Sequence, residues 1–177
     1  MPAYHSKYCG LETGEEACGC ALLPLKVTKS RGPAPIVTDA AEEDIVDEVI
    51  KFFRPNSLFR NFDVKGGPDR TLIYLTLSMQ QCLMEVEKTE KKADASRALL
   101  ALTLKAFPIP GGPGWALGGL FPTPQDINEG ETWRLYMKQA REELSYRVLE
   151  VLYSPDGSKN KWWGSFSKRK FMGKELK

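Results

Sequence analysis

Apolar side chains recur at helical spacing in several stretches of the chain, and this pattern predicts a protein built from helices. The first predicted helix follows a possible cap at Thr38 or Asp39, and Pro55 is expected to end it. Its apolar positions lie on neighbouring turns: Ile45, Val46, Val49, Ile50 and Phe53. A short helical segment is expected next, over residues 56–62.

Two more helices are predicted in the second half of the chain. One runs from a cap at Asp94 to Ala106, and the longest begins between residues 123 and 128 and ends at Tyr153. Between them lies the segment 107–124, which holds five prolines and five glycines and has no regular period. Because it also carries large apolar side chains, we expect it to be pinned against the helices or a partner.

The segment 68–90 has the most continuous apolar pattern. Apolar and polar residues alternate over 73–79, which is typical of a strand, but another set follows a helical stripe: Leu72, Leu75, Met79, Cys82 or Leu83, and Val86. We favour a helix, because the segment exceeds twenty residues without a turn signal. A helix that is apolar nearly all round should be enclosed by the others, with Cys82 as a small core residue.

These elements predict an all-α fold, a single domain of about five to seven helices around the central helix at about 68–90. A chain of 177 residues can bury one such core without metal or disulfide staples. Residues 1–37 are irregular and are expected to be an arm that packs on an all-helical body, 38–177. No apolar run reaches membrane-spanning length and the first residues lack a secretion signal, so we expect no membrane span.

The chain contains few residues of the types that usually carry catalysis or bind metals. The lone histidine, His5, lies near the chain start, where poor order is expected, so histidine acid–base chemistry is not predicted. With Cys9, Cys18 and Cys20 it could form a zinc site, but the spacing fits no common finger and we favour reduced cysteines. We predict no catalytic residue, no metal and no cofactor.

Charged residues of the body are expected to face water. The acids of segment 39–48 have no base among them, and a solvated face is favoured over a metal–carboxylate site. Glu143 and Arg147 are predicted to form an exposed pair one helical turn apart.

Basic and aromatic residues alternate in the C-terminal segment 158–177. This segment has seven basic residues and one acid, although the whole chain carries a formal charge of only +2. Its candidate partner-binding residues are Trp162, Trp163, Lys168, Arg169, Lys170, Phe171 and Met172. Contact with another protein is favoured, and nucleic-acid binding by the same segment is the alternative. At least one of Trp162 and Trp163 should be buried.

Several blocks of the sequence together resemble a known family. They are Met1–Ser6, Leu22–Leu25, Gly32–Pro35, Asp44–Glu48, Asp69–Leu77, Phe107–Gly111, Lys161–Trp163 and Lys168–Met172. In this order they resemble the third, small accessory subunit of the actin-related protein complex that nucleates branched actin filaments. The stretch Ala17–Cys20 is similar to plant or green-lineage members.

The resemblance implies a small all-helical subunit without catalytic activity. Its partners would be actin-related proteins and other accessory subunits, mainly an actin-related subunit, and actin filaments through the complex. ATP would belong to the actin-related subunits. The expected location is the cytoplasm and the actin cytoskeleton of the cell cortex or projections, with no nucleic acid among the partners.

Overall fold

The computed structural model describes residues 3–177, and over this range the fold is predominantly α-helical. A small antiparallel hairpin, β1 (Glu16–Ala17) and β2 (Cys20–Ala21), precedes the helices. The five α-helices of this range are α1 (Ile45–Asn56), α2 (Gly67–Glu87), α3 (Lys92–Leu104), α4 (Ile127–Leu152) and α5 (Lys161–Gly164). Of these helices, none is both long and apolar enough to cross a bilayer. The predicted all-α fold is confirmed.

Helix α2 lies at the centre of the molecule, as predicted. Sixteen of its 21 residues are buried, and it contacts α1, α3, α4, α5 and β2. Pro68 occupies its first turn, where a missing N–H costs no hydrogen bond. The buried hydroxyl of Thr76 donates to the carbonyl of Leu72 at 2.6 Å, and Ser78 donates to Tyr74 at 3.0 Å. These bonds satisfy polar groups that the surrounding apolar side chains cannot satisfy.

Helix α1 begins later and ends later than its sequence predicts. Asp44, not Thr38 or Asp39, caps it: Asp44 Oδ1 accepts from the Asp47 amide at 2.9 Å, and Asp47 Oδ2 accepts from the Asp44 amide at 3.2 Å. This reciprocal box satisfies two free amides and fixes the helix start. Pro55 lies inside the last turn, where it removes only one hydrogen bond. The predicted helix over 56–62 is wrong, because turns follow Asn56.

The prediction of a solvated acidic face on α1 is also wrong for two of its members. Asp44 and Glu48 are buried. Glu48 accepts from the Ser6 hydroxyl and from the Lys7 amide, both at 2.8 Å. Burial raises the pKa of Glu48 above its usual value, although these two donors oppose the shift.

Arg147 on α4 neutralises the other buried acid. Its guanidinium donates to both carboxylate oxygens of Asp44, at 2.5 and 2.8 Å, and to the backbone carbonyl of Lys26 at 2.6 Å. Arg147 also donates to Asp47 at 3.2 Å. This forked arrangement joins α1, α4 and the segment before α1 through charge-assisted hydrogen bonds.

Glu143 is buried, so the predicted exposed pair with Arg147 is wrong. Its Oε1 accepts from the Ser30 hydroxyl at 2.6 Å and from the Thr28 amide at 2.9 Å, while Arg147 lies 4.0 Å from Oε2. Burial opposes ionisation of Glu143, but the hydrogen bonds from Ser30 and Thr28 outweigh it and hold its pKa below the usual value. The four-residue spacing of Glu143 and Arg147 does not show which side of α4 they face, so it does not identify these partners.

His5 and Ser6 are hydrogen-bonded to the start of α2. His5 Nδ1 lies 2.7 Å from Oδ2 of Asp69, which is fully buried at the start of α2. The Ser6 amide donates to Asp69 Oδ1 at 3.0 Å, and the Lys65 amide donates to Oδ2 at 2.9 Å. The buried carboxylate of Asp69 thus binds groups from two separate segments, the N-terminal arm and the residues just before α2.

The segment 107–124 packs against the helices, which is one of the two locations expected for it. Trp115 stacks against Tyr74 of α2 at 6.2 Å between ring centroids and meets Trp133 of α4 edge-on at 5.6 Å. Phe121 is buried beside the same rings. Aromatic packing therefore replaces regular secondary structure as the constraint on this long loop.

Replacing Arg147 by Ala should strongly destabilise the protein. The substitution leaves Asp44 buried without its counter-ion, so we expect the free energy of unfolding to fall by about 3 to 5 kcal/mol. Arg134→Ala is the control, because Arg134 pairs with Glu131 on an exposed surface, and it should cost less than about 1 kcal/mol. Chemical denaturation of both variants measures the difference. Equal losses would contradict the network.

Stability should also fall in acid because of Glu143. A carboxylate whose folded-state pKa lies below its unfolded value stabilises the fold above the unfolded value, near 4.5, and loses this contribution as the pH falls through the folded value. Glu143→Gln should therefore flatten the dependence of unfolding free energy on pH below about pH 4.5. Glu12→Gln removes the same charge at an exposed site and serves as the control. A Glu143→Gln slope equal to that of the parent protein would refute this assignment.

Candidate partner-binding site

The C-terminal segment returns to the helical body immediately after α4. Tyr153, the residue that follows α4, pairs with Lys159 across a turn. Asn160 then caps α5, its side-chain oxygen accepting from the Trp162 amide at 3.0 Å. Neighbouring residues on a helical turn point about 100° apart, so Trp162 and Trp163 leave α5 on different sides.

Trp163 is buried and Trp162 is exposed. The Trp163 side chain is 6% exposed and packs against Phe53 of α1 with 6.1 Å between ring centroids. The guanidinium of Arg54 lies 5.0 Å above the Trp163 ring. Trp162 is 75% exposed. The prediction that at least one of the two is buried is confirmed.

Phe171 provides the second anchor of the segment. It is buried and meets Phe62 edge-on, with ring centroids 5.8 Å apart. Gln80 of α2 accepts from the Phe171 amide at 2.9 Å and donates to the carbonyl of Lys174 at 3.3 Å. Met172 is half-buried and has a left-handed backbone with φ of 56°. Its amide donates to the carbonyl of Phe59 at 3.3 Å.

The three consecutive basic residues between these anchors are exposed. Lys168 has its side chain on the surface, Arg169 lies 5.4 Å above the Phe166 ring, and Lys170 is 3.1 Å from the carboxylate of Glu175. Beneath them lies a groove of about 350 Å³ between the segment and α2, and its other wall includes Gln80, Met84 and Glu87 of α2 and the following residue, Lys88. The three basic residues and Trp162 are therefore exposed on a backbone that the buried Trp163 and Phe171 hold in place.

The seven predicted residues thus divide into two groups. Trp162, Lys168, Arg169 and Lys170 are exposed, whereas Trp163 and Phe171 are buried and Met172 is half-buried. The sequence did not identify Gln80 and Arg54 as the residues that hold the segment. A signal for Gln80 was present, because an uncharged polar side chain in a helix expected to be enclosed needs a hydrogen-bond partner.

The residues considered for zinc do different things in the structure. Cys20 is buried, accepts from the Trp133 indole at 3.4 Å, and its burial raises its pKa to about 12. Burial also raises the pKa of Cys18 to about 11. His5 is held by Asp69. Within residues 3–177, no three side chains of the His, Cys, Asp and Glu types are grouped as metal ligands would be.

Comparison with known proteins connects this architecture to one family. Residues 1–176 match the family model described as P21-Arc, the ARP2/3 complex ARPC3 (21 kDa) subunit. Actin-related protein 2/3 complex subunit 3 of Arabidopsis thaliana is 47% identical over 169 residues, covering 96% of both chains. The subunit 3 of Schizosaccharomyces pombe is 45% identical over 177 residues, covering 99% of this chain and 100% of the relative.

The same subunit of Dictyostelium discoideum is 45% identical over 175 residues, covering 98% of this chain and 99% of the relative. The similarity therefore runs through the helical body and the C-terminal segment alike. It confirms the resemblance in the sequence blocks. The chain belongs to the family of the ARP2/3 complex ARPC3 (21 kDa) subunit.

Proposed function

We propose that this protein is a structural, non-catalytic subunit of the actin-nucleating complex that builds branched actin filament networks. Family membership over nearly the whole chain carries the proposal. Its partners are the actin-related proteins and other accessory subunits, and its main contact is an actin-related subunit. The protein works in the cytoplasm within the actin cytoskeleton, at the cell cortex or in projections.

The structure supports a role through shape and surface. His5 is held by the carboxylate of a buried aspartate, and its ring packs 4.8 Å from the Phe62 ring, so the lone histidine contributes to folding. The buried cysteines contribute to the core in the same way. These groups, which in an enzyme could carry chemistry, are used here to connect segments of the fold.

The C-terminal segment is the proposed contact surface for the actin-related subunit. Trp162, Lys168, Arg169 and Lys170 supply the contacts, whereas Trp163 and Phe171 hold the backbone that carries them. Tryptophan and arginine are enriched among residues that dominate binding energy. A surface that is already fixed before binding loses little conformational entropy on association, so this rigidity favours affinity.

Co-purification of the tagged full-length chain from its own cells tests the proposed function. We expect the actin-related proteins and the other subunits to be recovered at a fixed ratio to the chain. Quantitative mass spectrometry of the eluted material measures that ratio. A chain that runs as a monodisperse monomer in cell extract would overturn the proposal.

The two neighbouring tryptophans should separate binding from folding. Trp162→Ala removes an exposed ring, so the melting temperature should barely change while the chain recovered in the complex falls. Trp163→Ala empties a buried site and should reduce the free energy of unfolding by about 3 to 5 kcal/mol. Thermal denaturation and co-purification of both variants provide the comparison. Normal recovery of Trp162→Ala in the complex would show that this ring is not a contact.

A further inference from the structure

Arg141 of α4 is buried, yet its charge is not neutralised by the described part of the chain. The residue is 6% exposed. Unlike Arg147, it forms no ion pair with any carboxylate of residues 3–177. Burial of a cation is costly, and only an opposite charge with good hydrogen bonds offsets the lost hydration. A guanidinium in this position therefore indicates a binding site for an anion.

The contacts that Arg141 does make are long and involve neutral groups. Its Nη1 donates to the Tyr74 hydroxyl at 3.5 Å, and its Nη2 donates to Gln81 Oε1 at 3.4 Å. Charge-assisted hydrogen bonds are usually shorter than 3 Å. The guanidinium also lies 4.5 Å above the Phe107 ring. Since a guanidinium has five N–H donors and two are used in these bonds, three donors have no acceptor within residues 3–177.

The guanidinium lines a small pocket, which we call the Arg141 pocket. Its walls come from α2, α4, the long loop 107–124 and residues 176–177, and its volume is about 20 Å³. This exceeds the space that one water needs, but it is too small for an aromatic ring or a sugar. Tyr74 and Arg141 are buried, whereas Gly114, Ala116 and Lys177 are exposed, so the pocket leads from the surface to the guanidinium.

The charges around the pocket favour a carboxylate as its ligand. Among residues 3–177, no aspartate or glutamate lines it. Lys177 contributes an ammonium and a main-chain carboxylate, and the latter forms no ion pair with Arg141. Glu85 and Glu175 line a neighbouring hollow, and each of them pairs with a lysine. The net charge of the pocket is therefore that of the Arg141 guanidinium.

We propose that the Arg141 pocket receives the carboxylate of an aspartate or glutamate side chain from another subunit. A planar carboxylate accepts two parallel hydrogen bonds from a guanidinium, which is the strongest pairing open to the unused donors. The walls formed by Phe107, Trp115 and Leu176 are apolar and suit the methylene stem of such a side chain.

An acidic side chain is favoured over a free carboxylate ion. The rest of the partner holds the side chain beside the pocket, so its effective concentration is far higher than that of a free ion. This inference rests on the proposed function, because the partner belongs to the assembly. The exposed residues of the C-terminal contact surface do not line the Arg141 pocket.

Arginine-selective ¹⁵N NMR of the full-length chain tests the chemistry of the pocket, with acetate as the probe. We expect the Nε–H signal of Arg141 to shift and to saturate at millimolar acetate, while sodium chloride at equal ionic strength leaves it unchanged. Arg141→Met assigns the signal, and the exposed Arg134, which pairs with Glu131, is the internal control. An Arg141 signal that acetate leaves unchanged would overturn the proposal. A signal that shifts when Gly-Ser is added after Lys177 would do the same, because the chain's own carboxylate would then be the ligand.

Site-specific photo-cross-linking in the purified complex tests the source of the carboxylate. A benzoyl-phenylalanine replaces Ala116 at the exposed end of the pocket, and Ile36, which is exposed elsewhere, is replaced in the control. We expect position 116 to join one segment of another subunit that contains an aspartate or glutamate. A cross-link only to a second copy of the chain, or to a segment without an acidic residue, would contradict the proposal.

Substitution of Arg141 separates binding from folding. Arg141→Met removes a buried charge without a counter-ion, so the melting temperature of the chain should be equal to or higher than that of the parent. The variant should leave the complex at least about tenfold faster, because loss of one partner of a buried charge pair acts on the dissociation rate. Arg97→Met is the control, since Arg97 pairs with Asp94 on an exposed surface, and it should change neither quantity. An Arg141→Met chain that fails to fold would show that the guanidinium serves the fold and would overturn the proposal.

A double-mutant cycle then tests the pair directly. The acidic residue found by cross-linking is replaced by Asn or Gln, alone and together with Arg141→Met, and dissociation is followed by chase with unlabelled chain. If the two groups bind each other, the double variant should dissociate no faster than the faster single variant. Independent, multiplied effects would contradict the pairing.

The outcomes separate this inference from the proposed function. A complex that assembles normally, but in which position 116 joins no other subunit or Arg141→Met dissociates like the parent, overturns the Arg141 pocket and leaves the proposed function standing. A chain that enters no complex overturns both, because the proposed ligand belongs to another subunit.

Discussion

The enclosure of α2 is the constraint on which the rest of the structure depends. A helix that is apolar on nearly every side must be surrounded, and in a chain of this size only the other helices and the irregular segments can do so. Several of the polar side chains of α2 connect it to those segments. Asp69 binds the first described residues, Thr71 donates to the carbonyl of Ala21 at 2.7 Å, and Gln80 holds the C-terminal segment. Arg70 joins the hairpin to the long loop, donating to the carbonyls of Gly19 and Leu120 at 3.0 and 3.1 Å.

This arrangement explains how segments with almost no regular structure become a fixed surface. The C-terminal segment contains only one helical turn and a short 3-10 turn, yet it is fixed by two buried aromatic side chains and by the amide of Gln80. Lys168, Arg169 and Lys170 lie between these anchors and remain exposed. The proposed binding role therefore follows from folding, since the core residues determine where the exposed residues lie.

The sequence predicted the apolar part of the fold well. The helical stripe of the segment 68–90 predicted the central helix, and the aromatic content of 107–124 predicted a pinned loop. Predictions from the sequence were wrong where buried charged residues determine the structure. Asp44, Glu48 and Glu143 look like surface residues in a pattern based on hydrophobicity, because their partners lie far away in the chain. The predicted start of α1 was wrong for the same reason, since the cap at Asp44 also accepts hydrogen bonds from Arg147.

Of the candidate site, the location was predictable and the division between anchors and contacts was not. Alternating aromatic and basic residues mark the segment as a candidate, but Trp162 and Trp163 are equivalent in composition, and only the contacts of Trp163 with Phe53 and Arg54 distinguish them. Native-state hydrogen exchange of the full-length chain tests the central claim most directly. The account predicts that amides of α2 exchange most slowly and that the Phe171 amide, bonded to Gln80, is protected far beyond its exposed neighbours. Exchange of α2 as fast as that of the more exposed α3, with an unprotected Phe171 amide, would contradict it.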